Sequence, residues 1–144
     1  MAKLPARLPK WASTVYRGDE IVWVDAKRQC RSILYSWAAA GEYHHTYSEL
    51  VDRVTAIEWP QGPHTDEGSQ VGYLLGQVSL EELSQVEDRP LISALVIGKE
   101  ENMPSSGFWT LCPELGIRVS DLQMFWLNEA KACCEYYGRR NTAC

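Results

Sequence analysis

The segment 89–116, RPLISALVIGKEENMPSSGFWTLCPELG, changes its hydrophobic period twice and thereby restricts what the rest of the chain can pack around. Behind Pro90, the residues Leu91, Ile92, Leu95, Val96 and Ile97 make a short apolar run that predicts a strand buried on both faces. A polar loop, 98–107, closes on Met103-Pro104-Ser105-Ser106-Gly107, after which Phe108, Trp109, Leu111 and Leu115 resume at helical spacing. The strand needs a partner. Ile21, Val22 and Trp23, inside the run 20–24, are predicted to pair with it, the alternative being that 20–24 begins the first helix.

The remaining punctuation is helical. Past Asp25, a candidate N-cap, Cys30, Ile33, Leu34, Trp37 and Ala38 fall on one helical face that Gly41 ends. Thr46-Tyr47-Ser48-Glu49 is a capping box opening a helix at about 47–57, with Leu50, Val51, Val54 and Ile57 as its buried stripe. The stretch 59–69 reads as an irregular exposed loop, of the kind that often carries binding. A third helix is expected from near Ser69 with Val71, Leu74, Leu75 and Val78 inward, and Gly72 and Gly76 four residues apart for a close neighbour. Ser79 and Glu82 suggest another capping box and a separate helix at about 80–86. Ser120 is expected to cap a last helix to Tyr137, closed by Gly138, with Leu122, Phe125, Trp126, Ala130, Cys133 and Tyr137 inward.

Length and composition decide the class. A chain of 144 residues with 45% hydrophobic content fits a single domain with a real core. The expected architecture is α+β: a mostly helical single domain, 19–144, with a winged-helix-like centre and a small two-stranded sheet, preceded by an extended arm, 1–18, that Trp11 tethers. No apolar stretch reaches membrane-span length and the start lacks the apolar region of a signal peptide, so a cytoplasmic protein is expected. Five cysteines without a CxxC pair favour reduced thiols over a disulfide framework or zinc ribbon.

The net charge of −5 is unevenly spread: residues 1–40 carry seven Lys/Arg and three Asp/Glu, whereas 41–138 carry five and sixteen. An acidic body argues against broad phosphate contact, although a basic arm leaves DNA binding open.

The order TYSELVDRV, SQVGYLLGQV and RPLISALVI, followed by a loop ending in PSSGF, resembles the helix-turn-helix and following strand of alkylguanine-DNA alkyltransferases and alkyltransferase-like proteins. Thr46-Tyr47 and Val71-Gly72 match that family in place. Ser69 stands where the family has its intercalating arginine, and the strand after Pro90 holds neither cysteine nor histidine. Alkyl transfer then has no acceptor thiolate. What the resemblance implies is a fold and a DNA-contacting set of Tyr47, Ser69, Gln70 and Tyr73. The pairing of LISALVI with the Pro-Ser-Ser-Gly-Phe loop also resembles small uncharacterised bacterial proteins of mobile, integron-type gene cassettes and nuclease-accessory domains, for which no activity is implied.

Single residues sharpen this little. His44, His45 and His64 lack further ligands at metal spacing, so no metal or cofactor is expected. Ser105 and Ser106 near Lys99 lack a nucleophile signature, and their Pro and Gly neighbours explain them as turn formers. Backbone recognition of a ligand at that loop, including Gly107, is the better reading. Glu129 lies at the margin of an apolar stripe, either as a buried acid or base or as a partner of an arginine such as Arg118. Trp59 and Trp11 lack a pattern that buries them and are candidate partner anchors. The leading expectation is therefore a non-enzymatic binding module that contacts a protein or a second copy of itself, through a set including Trp59, His64, Lys99, Ser105, Ser106, Gly107 and Glu129. The alternatives are a DNA-binding protein and a small enzyme with a pocket at the 98–107 loop.

Overall fold

Asp19 opens the first helix by accepting from the Val22 amide at 3.1 Å, and α1 runs Glu20–Ala39. Trp23, Ala26, Cys30, Leu34 and Trp37 recur along one side of it and are buried. A Schellman turn ends it: Gly41, at φ +72°, donates to the Ala38 carbonyl while the Glu42 amide donates to that of Trp37. The computed structural model describes residues 2–16, 19–59 and 67–142, with backbone alone at 67–69 and 140–142. Within them the fold is α+β and mostly helical. After α1 come β1 (His45–Thr46), α2 (Tyr47–Arg53), α3 (Glu67–Gln85), β2 (Val96–Ile97), α4 (Ser106–Glu114) and α5 (Leu122–Thr142). Helix α1 packs against α5 and α3 to make the core.

The structure departs from the expected elements at several points. The run 20–24 is the first turn of α1 and not a strand. Asp19 caps it, and Ile21 is 82% exposed, so the run has only one apolar side. The predicted cap Asp25 pairs instead with Arg28. The partner of β2 is β1, in parallel, with His45 opposite Val96 and Thr46 opposite Ile97. Thr46 passes directly from this pairing into the capping box of α2, whose two arms with Glu49 are both present. The second proposed box does not exist. Ser79 is buried within α3, where its hydroxyl donates to that of Ser93, so the helix continues to Gln85. In α5 the cap is Asp121, which accepts from the Met124 amide, and Leu122 faces outward. Gly138 does not close α5 but lies where it crosses α1.

The predicted buried strand is a shorter strand than expected, because 92–95 turn as a 3-10 helix before β2 begins. A buried backbone needs hydrogen-bond partners, and here they come from side chains of α5. The Glu129 carboxylate accepts from the Leu91 amide, the Cys133 thiol donates to the Leu91 carbonyl, Tyr137 donates to the Pro90 carbonyl and the Trp126 indole to that of Ala94. These four residues fall on one face of α5. One helix face thus replaces a neighbouring strand, which is how an apolar run buried on all sides exists with so little sheet.

Opposite that face, Glu82 carries a carboxylate only 1% exposed. It accepts from Arg31 of α1, from the Tyr35 hydroxyl and from Arg89, whose guanidinium also lies 5.2 Å over the Tyr136 ring. Arg31 and Lys27 reach Glu81 as well, tying α1 to α3 through the same patch. A buried carboxylate is tolerable only when paired this fully.

The N-terminal segment is laid along the body. Ala2 is buried, its carbonyl accepting from the Asp88 amide, and the Lys3 amide donates to the Leu115 carbonyl. A 3-10 turn at Lys10–Ser13 then places Trp11 on α3.

Candidate functional site

Tyr47 is the first residue of α2, so the capping box that starts the helix also aims its ring. Its phenolic oxygen accepts from the Ser105 amide at 2.8 Å, joining the start of α2 to the loop before α4. Burial raises the Tyr47 pKa, which keeps the phenol neutral. On α3, Gly72 and Gly76 lie one turn apart on the same face, with Tyr73 beside them. Gly76 is filled by Trp11: a Cβ there would stand 2.8 Å from the indole ring. Gly72 is open, with nothing within 4 Å of the place its Cβ would take.

The aromatic wall is held by one amide. Gln77, 2% exposed, donates to the Trp11 and Thr14 carbonyls and accepts from the Trp23 indole, each at 2.8 Å. Tyr16 stacks on Tyr73 with ring centroids 4.3 Å apart and planes within 5°. Trp11 and Tyr73, so held, line a cleft of about 690 Å³ between α3 and α4. Its walls include Trp11, Tyr47, Tyr73, Ser105, Ser106 and Gly107, with Thr110, Leu111 and Glu114 continuing along α4. The volume is in the range of small-ligand and side-chain pockets.

The cleft brings together the loop residues Ser105, Ser106 and Gly107 and the tyrosines Tyr47 and Tyr73, which the sequence assigned to different readings. The other candidates lie elsewhere. Lys99 is exposed on the turn after β2 and does not line the cleft. Glu129 spends its carboxylate on the Leu91 amide and not on Arg118, and burial raises its pKa. Trp59 is half-buried, its indole donating to the Val54 carbonyl of its own chain. Gln70 is half-buried on α3, Ser69 is known by its backbone there, and His64 lies outside the described residues.

The two adjacent histidines diverge. His44 meets the edge of Trp126, while His45 stacks on Trp37 and is held between Glu42 and Glu49. Among the described residues no group of three His, Cys, Asp or Glu side chains is placed to hold a metal. Burial pushes the Cys30 and Cys112 thiols up to about 12, leaving them protonated.

Gln77 and Glu82 are the residues sequence reasoning missed. Each is a polar residue at an inward position of an apolar helix, a misplacement visible in the sequence, although at Glu82 the apparent capping box with Ser79 masked it. No protein-family model, curated protein or solved structure matches this chain.

Proposed function

We propose that this protein is a non-enzymatic binding module that takes a segment of a partner protein in the cleft between α3 and α4. The observation that carries this reading is the convergence of three aromatic rings, Trp11, Tyr47 and Tyr73, on one open cleft floored at Gly72. Glycine at that position leaves backbone accessible to an incoming chain. The described lining supplies surfaces, hydroxyls and one carboxylate, Glu114, which is the equipment of recognition more than of a nucleophile paired with a base.

The order α2, α3, β2 is that of a helix-turn-helix followed by a strand, and it supports a winged-helix-like centre within the same proposal. It supports DNA binding less. The helix that would enter the groove, α3, carries Glu67, Glu81 and Glu82 and no Lys or Arg.

The test is selection of a random displayed-peptide library on the immobilised protein, repeated with Gly72→Trp, a change that fills the cleft from an open position. Clones whose binding is lost with Gly72→Trp, while circular dichroism shows an unchanged helix content, support the reading. An empty selection, or clones indifferent to Gly72→Trp, removes it. Sedimentation equilibrium of both proteins shows whether the partner is a second copy: a dimer that Gly72→Trp dissociates assigns it so.

A further inference from the structure

The lining of the cleft is chemically one-sided. Among the described residues that line it, Glu114 is the single side chain with a full charge, and none is Lys or Arg; Lys3 lies outside the lining, its amide on the Leu115 carbonyl. Glu114 is also the last residue of α4, where the helix dipole presents its negative end. Three aromatic rings line the same space from α2, α3 and the N-terminal segment. An ammonium or guanidinium group gains from Glu114, the helix end and the rings, whereas a phosphate or carboxylate gains only from the N–H donors of the first turn of α4 at the other end of the cleft.

The two ends of the cleft differ. Ser105, the residue before α4, makes no capping hydrogen bond with its own side chain, and Ser106 and Gly107 form the first turn, so hydroxyl and amide donors mark that end. Glu114 lies eight residues further along, or about 12 Å at the helical rise. An extended chain covers that distance in about three or four residues.

Resting on the binding reading above, we infer that the cleft takes an extended, lysine- or arginine-bearing segment of a partner protein. Its basic side chain lies against Glu114 and the aromatic rings, and its carbonyls face Ser105–Gly107. The excess of acidic residues in 41–138 favours the approach of such a partner from a distance.

Fluorescence anisotropy with short labelled peptides tests this: a Lys/Arg/Ser peptide, its Gln-for-cation and Glu-for-cation counterparts, and a DNA duplex of mixed sequence. The basic peptide is expected to bind tightest. Glu114→Gln should weaken it about threefold and Glu114→Lys about tenfold, in line with a partly screened ion pair supplemented by ring contacts. Glu114→Lys should also raise the affinity of the acidic peptide. Equal or tighter binding of the neutral or acidic peptide or of the duplex to the unmodified protein overturns the inference, as does an affinity unmoved by Glu114→Lys. If peptides bind without charge preference yet are all displaced by Gly72→Trp, the binding module stands and this inference alone falls. If none is sensitive to Gly72→Trp, both fall.

Discussion

His45 stands between two carboxylates, its Nδ1 2.6 Å from Glu49 and its Nε2 2.8 Å from Glu42, with its ring flat against Trp37 and Arg53 above that same indole. Partial burial acts to lower its pKa, but the two carboxylates outweigh burial and the net shift is upward from 6.5. Glu49 is shifted the other way, below 4.5, chiefly by its hydrogen bond to His45. A raised histidine contributes stability in full below the unfolded value of 6.5 and loses it as pH rises through the folded value. A lowered glutamate contributes above 4.5 and loses it as pH falls through its own folded value. The cluster is therefore strongest between 4.5 and 6.5. Thermal unfolding at about pH 5.5 and about pH 8.5 should give a higher midpoint at the lower pH for the natural chain, and His45→Gln should shrink that difference. A difference of the same size in His45→Gln would mean that other groups cause it. The histidine pair looked in sequence like a solvated loop with no metal, and spacing alone had no means of showing Glu42 and Glu49 folding back onto one imidazole. At Glu82 the same limit applies more sharply: its three donors come from positions 31, 35 and 89. Truncating one partner of such a buried ion set typically costs about 3–5 kcal/mol.

Local signals marked some element ends and not others. Gly41 and the Thr46–Glu49 box hold, whereas Asp25 and Ser79 lie inside helices and Asp121 caps α5 in place of Ser120. Thr46 and Glu49 lie three residues apart and form their box with no help from the rest of the chain; Gly41 adopts the left-handed turn that only glycine enters cheaply. Long-range partners were not legible. The run 91–97 has the composition of a central strand, yet α5 hydrogen-bonds its first residues through Trp126, Glu129, Cys133 and Tyr137, and only Val96–Ile97 pair as sheet. Gly138 was misread for the same reason. It has the look of a helix stop, but what requires it is the crossing of α1, where a Cβ would stand 3.0 Å from the Ala38 carbonyl oxygen. Helix propensity favours alanine over glycine by about 1 kcal/mol, so two substitutions separate propensity from packing. Gly72→Ala, in open space within α3, should stabilise by about 0.5–1 kcal/mol. Gly138→Ala should instead destabilise by about 1 kcal/mol, because backbone on both helices must separate. Urea midpoints of the two variants moving in the same direction would refute the assignment of the crossing.

At the scale of the whole molecule, the N-terminal segment completes the cleft. Trp11 fills the hollow at Gly76, Gln77 grips the Trp11 and Thr14 carbonyls, and Tyr16 stacks on Tyr73. Trp11→Ala should lower stability by about 2 kcal/mol, less than a fully buried tryptophan because the ring is half-exposed. It should also weaken any ligand that Gly72→Trp blocks. An unchanged urea midpoint would show that the segment contributes nothing to the fold. The sequence by itself determined the predominance of helix, the Thr46–Glu49 box, the Gly41 stop and a polar loop after Ile97, which ends at Ser105 where α4 begins, because periodicity and capping act over three to seven residues. Only the tertiary structure decided that β1 pairs with β2, that α5 serves as the partner of the 91–94 backbone, and that Tyr47, Tyr73, Trp11 and Ser105 share one cleft. Those pairings join residues tens of positions apart. They are set by which apolar faces can be covered together, and no local pattern along the chain encodes that choice.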